Sequence, residues 1–198
     1  MEKQNIMITE YLTGINYIEN LFSAAELEEI NTSINNSKKI KSDPVLGRLK
    51  IMLDVSSNFR ENIEYKASHL IKGDMLLSSI MYAEYSNKSG QPNLPPHFDG
   101  DTNSLVFNYQ LESNTSWDLG IDTKTYSLID NSALMFNPNE HIHWRPHRDF
   151  KDGEYIKMLF FRFRNKHNRA DYTHKNYHPN HPIFKDVRDY KESLRIKE

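Results

Sequence analysis

The chain has 198 residues, a formal net charge of −2, 26% charged and 12% aromatic residues, and no cysteine. That length suits one domain with a sizeable core. The near-neutral charge offers no field to draw it to nucleic acid or an anionic membrane, and the absence of cysteine excludes a disulfide framework and thiolate chemistry. We therefore read a single domain over 1–198, with its core over about 15–165 and a C-terminal extension over 166–198. With no N-terminal apolar region and no run of roughly 18 apolar residues, neither a signal peptide nor a membrane span is expected. The expected compartment is the cytoplasm.

Residues 1–22 alternate polar and apolar and end in a predicted strand over 14–20. Ser23 followed by Glu26 is a capping box, and Phe22 with Leu27 occupies the positions of a hydrophobic staple, so a helix starts there. Leu27, Ile30 and Ile34 make a narrow apolar stripe that ends at Asn35-Asn36-Ser37, which predicts a helix lying on a sheet. Lys38, Lys39, Lys41, Arg48 and Lys50 read as a solvated loop; the alternative is a basic border to a site mouth. Asn58 is the expected cap of a second helix carrying Phe59, Ile63, Ala67 and Leu70 on one face. His69 lies beside that face and reads as structural or exposed. From Met75 the pattern turns to strands, over 75–85, 103–111, 116–121, 125–129, 132–137, 141–146 and 155–163. Two helices followed by many short strands predict a mainly β fold, a double-sheet jelly roll backed by N-terminal helices. His167, His174, His178 and His181 lie on no predicted strand or helix and read as a polar cover or a disordered segment, followed by a predicted short helix over 183–196.

The candidate chemistry lies in Pro95-Pro96-His97-Phe98-Asp99 and His141-Ile142-His143-Trp144-Arg145-Pro146-His147. His97 and Asp99 are two residues apart, so on extended backbone both side chains leave one face and can serve one metal ion. A histidine arriving from the second cluster would complete a two-His, one-carboxylate set, the arrangement that leaves positions open on non-haem Fe(II). His141, His143 and His147 share strand parity, and all three are candidates for that third ligand. The competing reading makes those three a Zn or Cu site by themselves.

Taken in order, these pieces resemble the Fe(II)- and 2-oxoglutarate-dependent oxygenases, in particular the prolyl 4-hydroxylase-like branch. The resemblance rests on Tyr85 and Gly90 ahead of His97-Phe98-Asp99, Ala133-Leu134-Met135-Phe136 ahead of His143-Trp144-Arg145-Pro146, Lys157 opening an apolar strand, and Tyr17 to Ser23 before the first helix. It implies a double-stranded β-helix (cupin-like) barrel, and His97, Asp99 and His143 as metal ligands and catalytic centre. It also implies Fe(II), O2 and 2-oxoglutarate, with ascorbate as an accessory reductant. The reaction implied is oxidative decarboxylation of 2-oxoglutarate to succinate coupled to hydroxylation of an unactivated C–H bond. Retention of Asp99 argues for hydroxylation over halogenation, which needs that ligand position vacant.

The distal carboxylate of 2-oxoglutarate needs a buried cation. Lys157 is the expected anchor, since it shares parity with Leu159, Phe161 and Phe163, with Arg162 and Arg145 as alternatives. Tyr85 and Tyr109 are candidates to hydrogen-bond the cosubstrate. The expected partner is a small molecule or a peptidyl substrate, a protein side chain or an amino-acid-like metabolite, with no nucleic acid and no membrane. The alternative function is a non-catalytic jelly-roll binding module with a structural Zn or Cu site.

Overall fold

The structure is a computed structural model that describes residues 7–12, 14–37, 40–99 and 103–166. The chain opens with β1 (Met7–Leu12) and β2 (Ile15–Glu19), an antiparallel pair. α1 (Ala24–Asn36) follows, then β3 (Lys41–Asp43), β4 (Arg48–Met52), α2 (Ser57–Ile71) and β5 (Met75–Ser86). The remaining strands are β6 (Leu105–Ser113), β7 (Leu119–Ile121), β8 (Lys124–Tyr126), β9 (Ser132–Phe136), β10 (His143–Trp144) and β11 (Tyr155–Asn165).

α1 begins as its sequence requires. The Ser23 hydroxyl accepts from the Glu26 amide at 3.4 Å, and the Glu26 carboxylate accepts from the Ser23 amide at 2.8 Å, closing the capping box. α2 is capped by Ser56, whose hydroxyl accepts from the Phe59 amide at 3.1 Å. Asn58, the expected cap, lies inside the first turn instead. Both residue types cap helices well, and the oxygen that reaches Phe59 belongs to the residue three positions before it. Of the basic stretch expected as a loop, Lys41, Arg48 and Lys50 lie in the hairpin of β3 and β4, closed through residues 44–47, while Lys38 and Lys39 lie outside the described residues. Its short, charged outer strand is what an exposed sheet edge favours, so charge there concealed strand structure. The expected strand over 141–146 is only the two residues of β10.

Two antiparallel sheets result. The larger has the order β1-β2-β9-β6-β11-β5-β4-β3, and the smaller β10-β7-β8. This is the expected jelly roll. Strand alternation gives the large sheet two different faces. On one, Ile80, Tyr82, Phe107, Tyr109, Phe161 and Phe163 pack under Ile30 of α1 and Phe59, Ile63 and Ala67 of α2. On the other, Val106, Leu134 and Phe136 meet Leu119, Ile121 and Tyr126 of the small sheet. Among the described residues no helix is long and apolar enough to cross a membrane. The histidines at 167, 174, 178 and 181 and the helix expected over 183–196 lie outside the described residues.

Trp144 and Gly120 fix how β10 sits on β7. They are register partners, the Trp144 ring is fully buried, and its Nε1 donates to the Asp122 carbonyl at 3.3 Å. A methyl group at Gly120 would run into the indole ring, which is tethered and has nowhere to move. Gly120→Ala should therefore cost about 1–3 kcal/mol, the usual range for overpacking a filled core. A lowered urea midpoint with an unchanged slope would show it; wild-type stability would mean that the indole can shift.

Candidate metal centre

Two backbone hydrogen bonds assemble the centre. The His97 amide donates to the His143 carbonyl at 3.1 Å, and the His143 amide donates to the His97 carbonyl at 2.9 Å, so the segment carrying His97 is added alongside β10. The Asp99 amide donates to the Pro138 carbonyl at 3.1 Å, which turns the carboxylate back toward the histidines. One donor atom each from His97, Asp99 and His143 then lies within 4.8 Å of the others. Asp99 Oδ1 is 3.6 Å from both His97 Nε2 and His143 Nε2, and the imidazole centroids are 4.2 Å apart.

The protonation states suit a cation. His97 Nδ1 donates to the Pro95 carbonyl at 2.8 Å and His143 Nδ1 approaches the His141 carbonyl at 3.3 Å. A carbonyl only accepts, so the proton sits on Nδ1 and the Nε2 lone pairs face the cluster. Burial, aided by the neighbouring His143, holds the His97 imidazole below its ordinary range. For Asp99 burial pushes upward, but the neighbouring His143 ring and the charge of Arg162 outweigh it, so the carboxyl titrates below its ordinary range. Two imidazole nitrogens and a carboxylate oxygen form a donor set that fits a first-row divalent metal with open positions.

The other two histidines of the second cluster are elsewhere. His141 is engaged by Asp122, Nδ1 to Oδ2 at 2.8 Å. His147 is exposed, 3.5 Å from Asp149. Phe136 packs edge-on against the His143 ring at 5.3 Å, so the last residue of β9 buttresses the site.

A cavity of about 90 Å³ opens beside the three residues. It lies between the small sheet and the face of the large sheet turned away from the helices. Lys157 does not reach it. On β11 the residues of its parity, Leu159, Phe161 and Phe163, face the helices. Lys157 stands at the end of that row, 2.6 Å from Glu112 Oε2. Tyr109 is on the same outer face, packed edge-on against Phe22, with its hydroxyl donating to Asn131 Oδ1 at 3.1 Å.

The cavity instead receives Arg48, Arg145, Arg162, Tyr85 and Asn108. Arg145 is 2% exposed. Its guanidinium donates to the Trp117 carbonyl and lies 4.8 Å from the Trp117 ring centroid, and Nη2 is 3.6 Å from Met158 Sδ. No carboxylate pairs with it among the described residues. Burial pushes it down to about 10, still charged at neutral pH. Arg48 is matched: its Nε meets Asp43 Oδ2 at 3.2 Å, while Nη1 donates to the Tyr85 hydroxyl at 3.1 Å. Arg48 and Asn108 were not expected here. The basic stretch signalled the first only as a border to a site mouth, and Asn108 had no signal beyond its place on a predicted strand.

No family sequence model and no curated protein sequence matches the chain. Solved structures do. The α-ketoglutarate-dependent non-haem epimerase SnoN of nogalamycin biosynthesis aligns with a TM-score of 0.59 at 12% identity, over 77% of this chain and 78% of that one. A prolyl-4-hydroxylase from Pseudomonas putida aligns at 0.54 and 12% identity, over 77% and 93%. A prolyl hydroxylase from Trichoplax adhaerens, solved with a hypoxia-inducible-factor peptide fragment, aligns at 0.52 and 14% identity, over 76% and 83%. At these identities the likeness is one of architecture: the chain has the jelly-roll fold of the 2-oxoglutarate- and Fe(II)-dependent oxygenases.

Proposed function

We propose that the protein is an Fe(II)- and 2-oxoglutarate-dependent dioxygenase that hydroxylates an unactivated C–H bond of a protein side chain or a small amino-acid-like molecule. The observation that carries this reading is the convergence of His97, Asp99 and His143 at a cavity containing a buried arginine without a carboxylate partner among the described residues. His97, Asp99 and His143 would hold the iron. The metal, when bound with 2-oxoglutarate and O2, supplies the oxidising chemistry.

The chain's own contribution is positioning and charge. The proton on Nδ1 of each imidazole keeps Nε2 available as a ligand. Arg145 would hold the distal carboxylate of 2-oxoglutarate, because a cation buried among Trp117 and Met158 is compensated best by an entering anion. Tyr85 has its hydroxyl oxygen occupied as acceptor by Arg48, which leaves its O–H to donate to the same carboxylate. Leu94 and Leu119 wall the cavity with apolar surface and exclude water around that pair.

Anaerobic addition of Fe(II) and 2-oxoglutarate should produce a visible charge-transfer band, since a 2-oxo acid chelated to ferrous iron absorbs there. A protein that binds the metal without the band is a metal-binding module, and the oxygenase reading fails. His97→Ala, Asp99→Ala and His143→Ala should each emerge from purification without metal, whereas His141→Ala and His147→Ala should retain it. Metal analysis of the five variants decides between the histidines.

Protons compete with the metal at His97, and the free imidazole titrates below its ordinary 6.5. Metal uptake should therefore be complete at neutral pH and be lost only as pH falls below that value. Titration of metal binding against pH reads this directly, and loss beginning above 7 would contradict it.

Arg145→Met would leave the distal carboxylate buried and unpaired, a loss of about 3 kcal/mol or more. By the tenfold change per 1.4 kcal/mol, that raises the apparent constant for 2-oxoglutarate roughly a hundredfold. Lys157→Met should leave it unchanged, because that ammonium faces Glu112 on the opposite side of the sheet. The reverse result in the pair of titrations would return the anchor to Lys157.

A further inference from the structure

The oxygenase reading leaves one cation of the cavity unused. Arg162 is on β11 beside β6, with Val106 as its register partner and Asn108 opposite Phe160 one step along the same face. Its side chain is 26% exposed, so it borders both the cavity and solvent. The Nε is buried and has no hydrogen-bond partner. Its ionic neighbour among the described residues is Asp99 Oδ2, at 4.0 Å, beyond hydrogen-bond distance.

Charge decides what this arginine is for. In the loaded site Asp99 and one carboxylate of 2-oxoglutarate would offset the charge of a divalent metal. The distal carboxylate would offset Arg145, and Asp43 pairs with Arg48 while also accepting from Lys50. Arg162 has Asp99 as a distant ionic neighbour and keeps an unsatisfied Nε–H at the edge of the cavity. A partly buried guanidinium in that state attracts an anion strongly, and its planar fork fits a carboxylate. Asn108, whose side chain lines the same cavity, adds an amide donor nearby.

Resting on the oxygenase reading, we propose that Arg162, assisted by Asn108, is the recognition site for a carboxylate of the primary substrate. The substrate is then an acid, and its carboxylate is held by Arg162 at the edge of the cavity. The carboxylate has two sources, a free small acid or an Asp or Glu side chain of a peptide, and both present the same group to Arg162.

The test uses the intact protein, loaded anaerobically with Fe(II) and saturating 2-oxoglutarate, and reads binding rather than turnover. Two matched pairs are titrated: N-acetylglycine against N-acetylglycinamide for a free acid, and an end-blocked peptide with one aspartate against the same peptide with asparagine. In one pair the acid should bind about tenfold or more tightly than its amide, as expected for a charge-assisted contact. The pair that discriminates names the source. Arg162→Gln should abolish the preference while metal content and 2-oxoglutarate affinity stay unchanged, and Arg162→Lys should restore part of it.

The proposal is overturned by equal affinity for acid and amide in both pairs, or by a preference that survives Arg162→Gln. It is also overturned if Arg162→Gln loses metal or 2-oxoglutarate, which would make Arg162 a positioning residue for Asp99 or the cosubstrate anchor. Failure of the wild-type protein to form the metal–2-oxoglutarate complex is visible before any acid is added. That result would remove the oxygenase reading itself, separately from the question of Arg162.

Discussion

The site depends on one antiparallel bridge, the reciprocal backbone bonds between His97 and His143. The two segments are separated in the chain by β6 to β9, and nothing in the sequence pattern pairs them. The bridge puts both imidazoles on the same side at a 4.2 Å centroid spacing. A third bond of the same ladder, from the Arg145 amide to the Leu94 carbonyl at 2.9 Å, carries the pairing as far as the buried arginine. β10 is only two residues long, and β7 holds it in register through Ile121 and Gly120. Asp122, in the turn after β7, adds bonds to the Ile142 amide and the His141 ring. His141 thus serves the centre by holding the strand that delivers its neighbour.

The large sheet separates scaffold from chemistry by parity. Its helix-side face is almost wholly apolar, and burial of Phe107, Tyr109, Phe161 and Phe163 under α1 and α2 supplies the stabilisation that a polar cavity cannot. The opposite face carries Arg48, Asn108 and Arg162 among Met81, Val106 and Phe160. Cations in such a place are costly unless paired. Arg48 has Asp43; Arg145 has no carboxylate partner among the described residues, and Arg162 has Asp99 at 4.0 Å, beyond hydrogen-bond distance.

Much of this architecture was legible in the chain. The capping box at Ser23 and Glu26, the apolar stripe of α1 and the switch to strands at Met75 are local signals, set by hydrogen bonds within one turn or by side-chain period. His97 and Asp99 were found because a metal needs donors of those types, two residues apart on extended backbone. Less legible were the elements whose residues obey competing local rules. Ser56 and Asn58 are both good caps, and the β3–β4 hairpin has the charge of a loop because its outer strand is a sheet edge.

Lys157 shows where local reading ends. Its period correctly grouped it with Leu159, Phe161 and Phe163, but a period of two states only which residues share a face. It does not say whether that face turns to the cavity or to the helices. That choice was made by the packing of Phe161 and Phe163 beneath Phe22 and α2, which sent the lysine to Glu112 and the even-numbered residues of β11 inward. The sequence by itself determined most of the element types and singled out His97 and Asp99 as a pair of candidate ligands. Only the tertiary structure decided that His143 is the histidine brought to them, and that Arg145 and Arg162 line the cavity beside them. These outcomes depend on contacts between segments far apart in the chain, which periodicity does not encode.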